Sequence, residues 1–158
     1  MKINLDISVL AAQPFLTGMA ARHLELLAEN SMLAEFKAGE HILNDGGVAN
    51  RFYLILEGRV ELESPMMEGE AVHIQTLGAG EVIGWSWLFP PYFWHFDARA
   101  VAPTKAIFFY GTRLRELCDE NHDLGYELMK RVSEIVIKRL QATRDELVAR
   151  DKKLLLPV

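Results

Sequence analysis

The middle of the chain, from Ala34 to about Tyr110, consists of short apolar runs that glycines interrupt. In the run Val60–Glu63, for example, apolar and acidic residues alternate, which is the two-residue period of a strand with one buried face. Glycines punctuate the region at positions 39, 46, 47, 58, 69, 78, 80 and 84. Short strands separated by regular turn signals predict an antiparallel sandwich or barrel.

Residues with helical spacing lie on both sides of this region. Before it, the segment Pro14–Leu33 has apolar residues at helical intervals, and Thr17-Gly18 marks a helix start or a turn between two short helices. After it, the segment Thr112–Lys153 is predicted to be helical. Asp123 is the expected N-cap of a final helix of about seven turns.

The final helix carries an apolar stripe, formed by Leu128, Val132, Ile135, Val136, Leu140 and Leu147. A helix of this length cannot bury its whole stripe on a small barrel, so part of it is expected to pack against a second copy of itself. The sequence therefore predicts a homodimer through the C-terminal helix. We expect residues 1–111 to form N-terminal helices plus the barrel, and residues 112–158 to form the dimerisation element of the same domain.

The composition excludes several classes of protein. Half of the residues are hydrophobic and a quarter are charged, which excludes a mainly disordered chain. The balance of 17 basic and 22 acidic residues argues against a protein that coats nucleic acid. The longest apolar stretch, Ala106–Tyr110, is too short to cross a bilayer, and Asn4 and Asp6 interrupt any signal peptide. We expect a cytoplasmic protein without a membrane segment.

Motifs for catalysis and metal binding are lacking. Cys118 is the single cysteine and cannot form an internal disulfide, and no Cys/His cluster has zinc spacing. The sequence contains no nucleophile elbow, phosphate-binding Walker loop or HExxH motif. We therefore expect no catalytic residue and no metal site.

The stretch Phe36–Leu62 resembles the cyclic-nucleotide-binding-domain family, of the catabolite-activator/FNR type. The matching residues are Gly39, Ile42, Gly46, Ala49, Tyr53, Gly58 and Val60, and the resemblance resumes at Leu77–Gly84 and Ala98–Thr104. It implies an antiparallel jelly roll (double-stranded β-helix) of eight strands, with short helices before it and a long dimerising helix after it. Gly58 is predicted to be the turn of a hairpin.

Transcription factors of this family carry a helix-turn-helix domain beyond the long helix. Only Leu154–Val158 follow the predicted helix here, too few residues for a recognition helix. We therefore expect no direct DNA binding.

The resemblance also implies a phosphate-binding cassette after Gly84. In this family a glutamate accepts from the ribose hydroxyl and an arginine neutralises the cyclic phosphate. An ungapped alignment puts Trp85 at the glutamate position, Trp94 at the arginine position and His95 at a small hydroxyl position. We expect the loss of the glutamate and the arginine to weaken cyclic AMP binding. Arg99, five residues after Trp94, is considered as a substitute for the missing arginine. The predicted ligand-binding residues are Gly84, Trp85, Ser86, Trp94, His95 and Arg99.

The cassette is rich in aromatic side chains and holds all three tryptophans of the chain. The aromatic and histidine residues are Trp85, Trp87, Phe89, Tyr92, Phe93, Trp94, His95 and Phe96. Three interpretations remain open at this stage: a pocket filled from within, a surface that docks a protein, or a site that stacks a flat ligand.

We interpret the chain as a non-enzymatic regulatory or sensor domain. It would bind a nucleotide-like effector, such as a cyclic nucleotide or NAD(P)H, or a protein partner, and would signal through its C-terminal helix. The alternative is an accessory subunit of a redox enzyme, such as an NAD(P)-linked hydrogenase or dehydrogenase. The aromatic cassette or the helix would then be a docking face or an NAD(P)H site.

Overall fold

The computed structural model describes residues 5–155. Within them, eight strands are bracketed by helices. The strands are β1 (Ser31–Phe36), β2 (His41–Leu43), β3 (Arg51–Glu57), β4 (Val60–Ser64), β5 (Val72–Leu77), β6 (Val82–Ile83), β7 (Asp97–Ala100) and β8 (Thr104–Tyr110). The helices are α1 (Ile7–Ala11), α2 (Ala21–Glu29), α3 (Gly111–Glu120) and α4 (His122–Leu155), with 3₁₀ turns at Pro14–Leu16 and Ser86–Leu88.

The strands form two antiparallel sheets of four. The first has the order β1-β8-β3-β6 and the second has the order β2-β7-β4-β5. Side chains from both sheets meet in one core, in which Tyr53, Ile55 and Phe108 pack with Leu62 and Leu77. The predicted mainly β fold, a jelly roll followed by a long C-terminal helix, is confirmed.

A second core lies between the first sheet and the helices. Phe52 and Phe109, from the other face of β3 and β8, pack there with Leu27, Leu114 and Leu128. The first sheet is therefore buried on both faces. This double burial explains why β3 is apolar at almost every position instead of alternating.

Two predictions about local structure are wrong. Gly58 has a φ of +116°, but it joins β3 to β4, which belong to different sheets, so its turn is not a hairpin. A Cβ at this position would lie 2.7 Å from Cα of Thr104, and the absence of a side chain lets the turn pass close to β8. The helical zone expected to reach Leu33 ends at Glu29, because β1 already begins at Ser31 and pairs with β8.

The C-terminal helix also differs from its prediction in detail. It begins at His122, so Asp123 lies within its first turn and forms an ion pair with Arg22, at 3.7 Å. The predicted apolar stripe divides into a part that packs on the protein and a part that is exposed. Leu128, Val132, Ile135 and Val136 face the second core, whereas Leu140 and Leu147 are 68% and 67% exposed. Among the described residues, no helix combines the length and the apolar character needed to cross a membrane.

Candidate functional site

The segment between β6 and β7 is the cassette that the sequence singled out. It leaves β6 at Gly84, which has a φ of +81°, and passes through a 3₁₀ turn and a cis Pro90-Pro91 bond. Its second half is hydrogen-bonded to the loop before β3. The Trp94 N–H donates to the Gly47 carbonyl at 2.9 Å, and the Ala49 N–H donates to the Tyr92 carbonyl at 2.7 Å. These bonds hold the cassette against the mouth of the roll.

Trp94 points from this segment into the roll. Its side chain is only 6% exposed and belongs to the same core as Leu43, Tyr53 and Ile83. The ring covers Gly84, where a Cβ would lie 2.7 Å from the indole. At the position where the resemblance implies an arginine for the phosphate, the chain therefore buries a large apolar ring.

On the side of this ring that faces Gly84, the remaining cavity measures only about 20 Å³. A separate and more open cleft of about 300 Å³ lies on the side of Asn50 and Arg51 and also contacts Trp94. The lining of the smaller cavity includes five of the six residues predicted to bind a ligand, which are Gly84, Trp85, Ser86, Trp94 and His95, together with Arg139 from α4. Sites for small molecules usually measure about 300–1,000 Å³. The structure thus brings these five residues together around a space that is too small for a nucleotide.

Arg99 is not brought to this cavity. Its neighbours Ala98 and Ala100 point into the roll and are fully buried, so the alternation of β7 puts Arg99 on the outer face. There its guanidinium donates to the Glu63 carboxylate at 2.7 Å. This hydrogen bond and the negative charge raise the pKa of Arg99 above its ordinary value. The arginine considered as a substitute is committed to an ion pair on the other side of the sheet.

Arg139 is the residue of this site that the sequence analysis missed. It is 5% exposed, and its guanidinium donates to the side-chain oxygen of Gln75 at 3.0 Å and to the Val82 carbonyl at 2.8 Å. Burial disfavours the charged form and lowers the pKa of Arg139 to about 10, although the charge of Glu81 acts in the opposite direction. A cation from α4 is thus buried against the strands that lead into the cassette.

The helical period contained a signal for this residue. Leu128, Val132 and Ile135 face the protein, and the next position on that face is 139, not 140. An arginine at a position on the buried face of a helix indicates a buried charge.

The other aromatic residues of the cassette have separate environments. Trp87 is fully buried in the second core, with its ring centroid 5.5 Å from that of Phe52. The guanidinium of Arg115, from α3, lies 4.1 Å from the ring centroid of Tyr92 and donates to the Trp87 carbonyl. In the part of the chain that the structure describes, no group of three or more His, Cys, Asp or Glu residues could hold a metal ion.

Comparison with known proteins assigns the family. The model of the cyclic nucleotide-binding domain family matches residues 33–121, more than half of the chain. The chain belongs to this family. The match begins at the third residue of β1 and ends just after α3. It therefore includes strands β2 to β8 and the whole cassette.

Three solved structures show how far this cyclic nucleotide-binding domain resembles others. A Geobacter metallireducens GS-15 protein, provisionally named as cyclic nucleotide-binding, is 29% identical, with a TM-score of 0.78 and coverage of 86% of this chain and 98% of that one. The regulatory subunit of a cAMP-independent protein kinase A from Trypanosoma brucei is 25% identical (TM-score 0.68, coverage 81% and 46%). Its Trypanosoma cruzi counterpart, bound to guanosine, is 26% identical (TM-score 0.65, coverage 73% and 40%). The chain thus spans less than half of each kinase subunit. No curated protein matches it.

Proposed function

We propose that this chain is a non-enzymatic regulatory domain that does not bind cyclic AMP in its cassette. The burial of Trp94 over Gly84 carries the proposal, because the ring takes up the space next to Gly84 and leaves a cavity of about 20 Å³ among the predicted ligand-binding residues. Neither charged contact of the family pattern is present, since Trp85 and Trp94 stand at the two positions. Loss of an ion-paired contact to a charged group typically costs about 2–5 kcal/mol.

Related domains support an effector other than cyclic AMP. The Trypanosoma brucei subunit is described as cAMP-independent, and the Trypanosoma cruzi subunit is bound to guanosine, which has no phosphate. These domains keep the fold while departing from cyclic AMP as the signal. By analogy, we propose that this chain responds to a different small molecule or to a protein partner.

We further propose that α4 transmits the signal and joins two copies of the chain, so that residues 112–158 act as a dimerisation element. The N-terminal half of α4 is fixed to the core by Leu128 and Val132, and Arg139 connects it to the strands beside the cassette. An exposed stripe on the other side of the helix is formed by Met129, Ile137, Leu140 and Leu147. Apolar residues spaced in this way are typical of a helix that packs on a partner helix.

The alternative role as an accessory subunit of a redox enzyme receives no support from the similarities to known proteins. The cavity next to Gly84, at about 20 Å³, is also too small to enclose NAD(P)H. The regulatory role is therefore the function that we propose.

Thermal unfolding tests the closed cassette. Cyclic AMP at millimolar concentration should leave the melting temperature unchanged, because a ligand stabilises only a folded state to which it binds. The same titration with cyclic GMP, NADH and NADPH can be followed by tryptophan fluorescence, since Trp85, Trp87 and Trp94 all lie in the cassette. A catabolite activator protein known to bind cyclic AMP serves as the positive control. A rise of several degrees with cyclic AMP would overturn the proposal.

A further inference from the structure

A much larger cavity than that of the cassette lies between α4 and the roll. It measures about 410 Å³, within the size range of small-molecule sites. One wall is the turn Gly80–Val82, the second is the 3₁₀ turn with Phe15 and Thr17, and the third is the face of α4 from Glu127 to Arg139. We call this space the α4 groove. It lies outside the cassette, and among the cavity-lining residues it shares only Arg139 with the cassette cavity.

Arg139 is the feature of the α4 groove that points to a ligand. This residue is only 5% exposed, and its two hydrogen-bond acceptors, Gln75 and Val82, are both uncharged. Among the described residues, no carboxylate oxygen lies within 4.0 Å of its guanidinium, and the charge of Glu81 acts on it only from a greater distance. Buried charges in proteins are normally paired with an opposite charge. A guanidinium has five N–H groups, and the two hydrogen bonds of Arg139 use two of them.

The charges around the groove limit the kind of anion. Its cationic side chains are Lys130, Arg131, Lys138 and Arg139, and its acidic ones are Glu81, Glu127 and Glu134, so the lining has one positive charge in excess. Arg131 and Glu127 are paired with each other, and Glu81 accepts from the Gly78 N–H at 2.6 Å. A polyphosphate would meet these three carboxylates, whereas a single negative charge would match the excess.

The uncharged residues that line the α4 groove indicate the chemistry of the rest of the ligand. Phe15, Val82 and Ile135 give the groove an apolar lining between the charged rims. An inorganic ion would leave this surface uncovered, whereas an apolar or aromatic body would bury it favourably. We infer that the α4 groove binds an organic monoanion, with its acidic group at Arg139 and its apolar body between Phe15 and Ile135. The inference names the effector site of the proposed regulatory function and rests on that function.

The position of the groove would make such binding a signal. One wall belongs to α4 and the other two belong to the roll and the N-terminal 3₁₀ turn, so a ligand would contact both sides. Arg131 already joins these walls, because it donates to the Thr17 carbonyl at 2.8 Å. Occupancy would favour the arrangement in which α4 is seated against the roll.

The fluorescent probe 8-anilinonaphthalene-1-sulfonate, which is itself an organic monoanion, tests the inference. We expect saturable binding to a single site on the wild-type chain. Arg139→Gln should weaken this binding by at least about tenfold, because it removes the charge at the end of the groove. Lys138→Glu reverses an exposed charge at the rim without disturbing the core, and should weaken binding by about threefold or more.

Two controls make the result specific. Lys152→Glu makes the same charge change on α4 outside the groove and should leave the affinity unchanged. N-phenyl-1-naphthylamine, the uncharged relative of the probe, should bind no more weakly to Arg139→Gln than to the wild type. Amide chemical shifts in ¹⁵N-labelled protein should change at Thr17 and Gly80 on addition of the sulfonate.

Three outcomes would overturn the inference: no saturable binding at millimolar concentration, equal affinity of Arg139→Gln and the wild type, or chemical-shift changes centred on the Trp94 indole. Failure here can be distinguished from failure of the proposed function. Binding of cyclic AMP in the cassette would contradict the closed cassette while leaving the sulfonate result unaffected. Absence of sulfonate binding would leave the closed cassette standing.

Discussion

The indole of Trp94 lies against the backbone of Gly84, with Cζ3 and Cη2 each 2.7 Å from the place where a Cβ of residue 84 would be. Gly84 also has a φ of +81°, a conformation that other residues adopt at a cost. The two residues therefore depend on each other. The ring can fill the roll because residue 84 has no side chain, and the cassette closes because the ring is there.

Gly84→Ala should destabilise the protein through both effects. The left-handed conformation costs about 1–2 kcal/mol for a residue with a Cβ, and overpacking against the ring adds about 1–3 kcal/mol. The free energy of unfolding can be measured by urea denaturation. In a Trp94→Ala background the second contribution should disappear, so the cost of Gly84→Ala should fall to about 1–2 kcal/mol. Equal costs in the two backgrounds would show that the ring does not press on Gly84.

Trp94→Ala alone should lower the free energy of unfolding by about 3–5 kcal/mol, the usual cost of removing a buried aromatic ring and leaving a cavity. Phe93→Ala is the matched control, because Phe93 is the neighbouring aromatic residue but is 44% exposed. Its loss should cost less than about 1 kcal/mol. Similar losses for the two variants would contradict the assignment of Trp94 to the core of the roll.

The sequence was informative where structure is local. The period of two residues and the glycine turns predict the strands of the roll, because both depend on neighbours in the chain. Strand partners depend on the whole topology. Gly58 has the pattern of a hairpin turn, but β3 pairs with β8 and β6, and β4 pairs with β5 and β7. Local alternation is the same in both cases, so the sequence could not decide between them.

For α4 and for the cassette, too, the local sequence does not show which residues pack against which. The apolar residues of α4 form two stripes, and only the packing shows that Val132 faces the protein while Leu140 does not. Arg139 appears as an interruption of an apolar face until the roll shows its acceptors at Gln75 and Val82. The alignment predicted Trp94 at a critical position, but the choice between a filled pocket and a stacking site needed the depth to which its ring is buried.

A third prediction concerns the dimer. Leu140→Lys should convert the protein to monomers in sedimentation experiments, because it puts a charge in the middle of the exposed stripe of α4. Leu140 suits this test better than Ile135, which belongs to the same predicted stripe. Ile135 is half-buried and packs against the second core, so a lysine there would disturb the fold itself.

Ala149→Lys is the control for the dimer. It introduces the same side chain at an exposed position of the same helix, on the side away from the stripe, and should leave the association state unchanged. A Leu140→Lys variant that sediments with the mass of a dimer would show that the copies do not associate through this stripe.

The thiol of Cys118 should be almost unreactive in the folded protein. Burial, with a smaller effect from the charge of Asp119, raises the pKa of Cys118 to about 11. Close approach of α4 accounts for the burial, since a Cβ at Gly125 would lie 3.2 Å from the Cys118 Cβ.

The rate of modification by a disulfide reagent measures this effect. Only the thiolate reacts, and below the pKa its fraction changes about tenfold per pH unit. At pH 8 the reaction should therefore be about 100-fold slower in the folded than in the unfolded chain. The single cysteine makes the signal unambiguous, and Cys118→Ser gives the blank. Equal rates in buffer and in denaturant would mean that α4 does not cover this position.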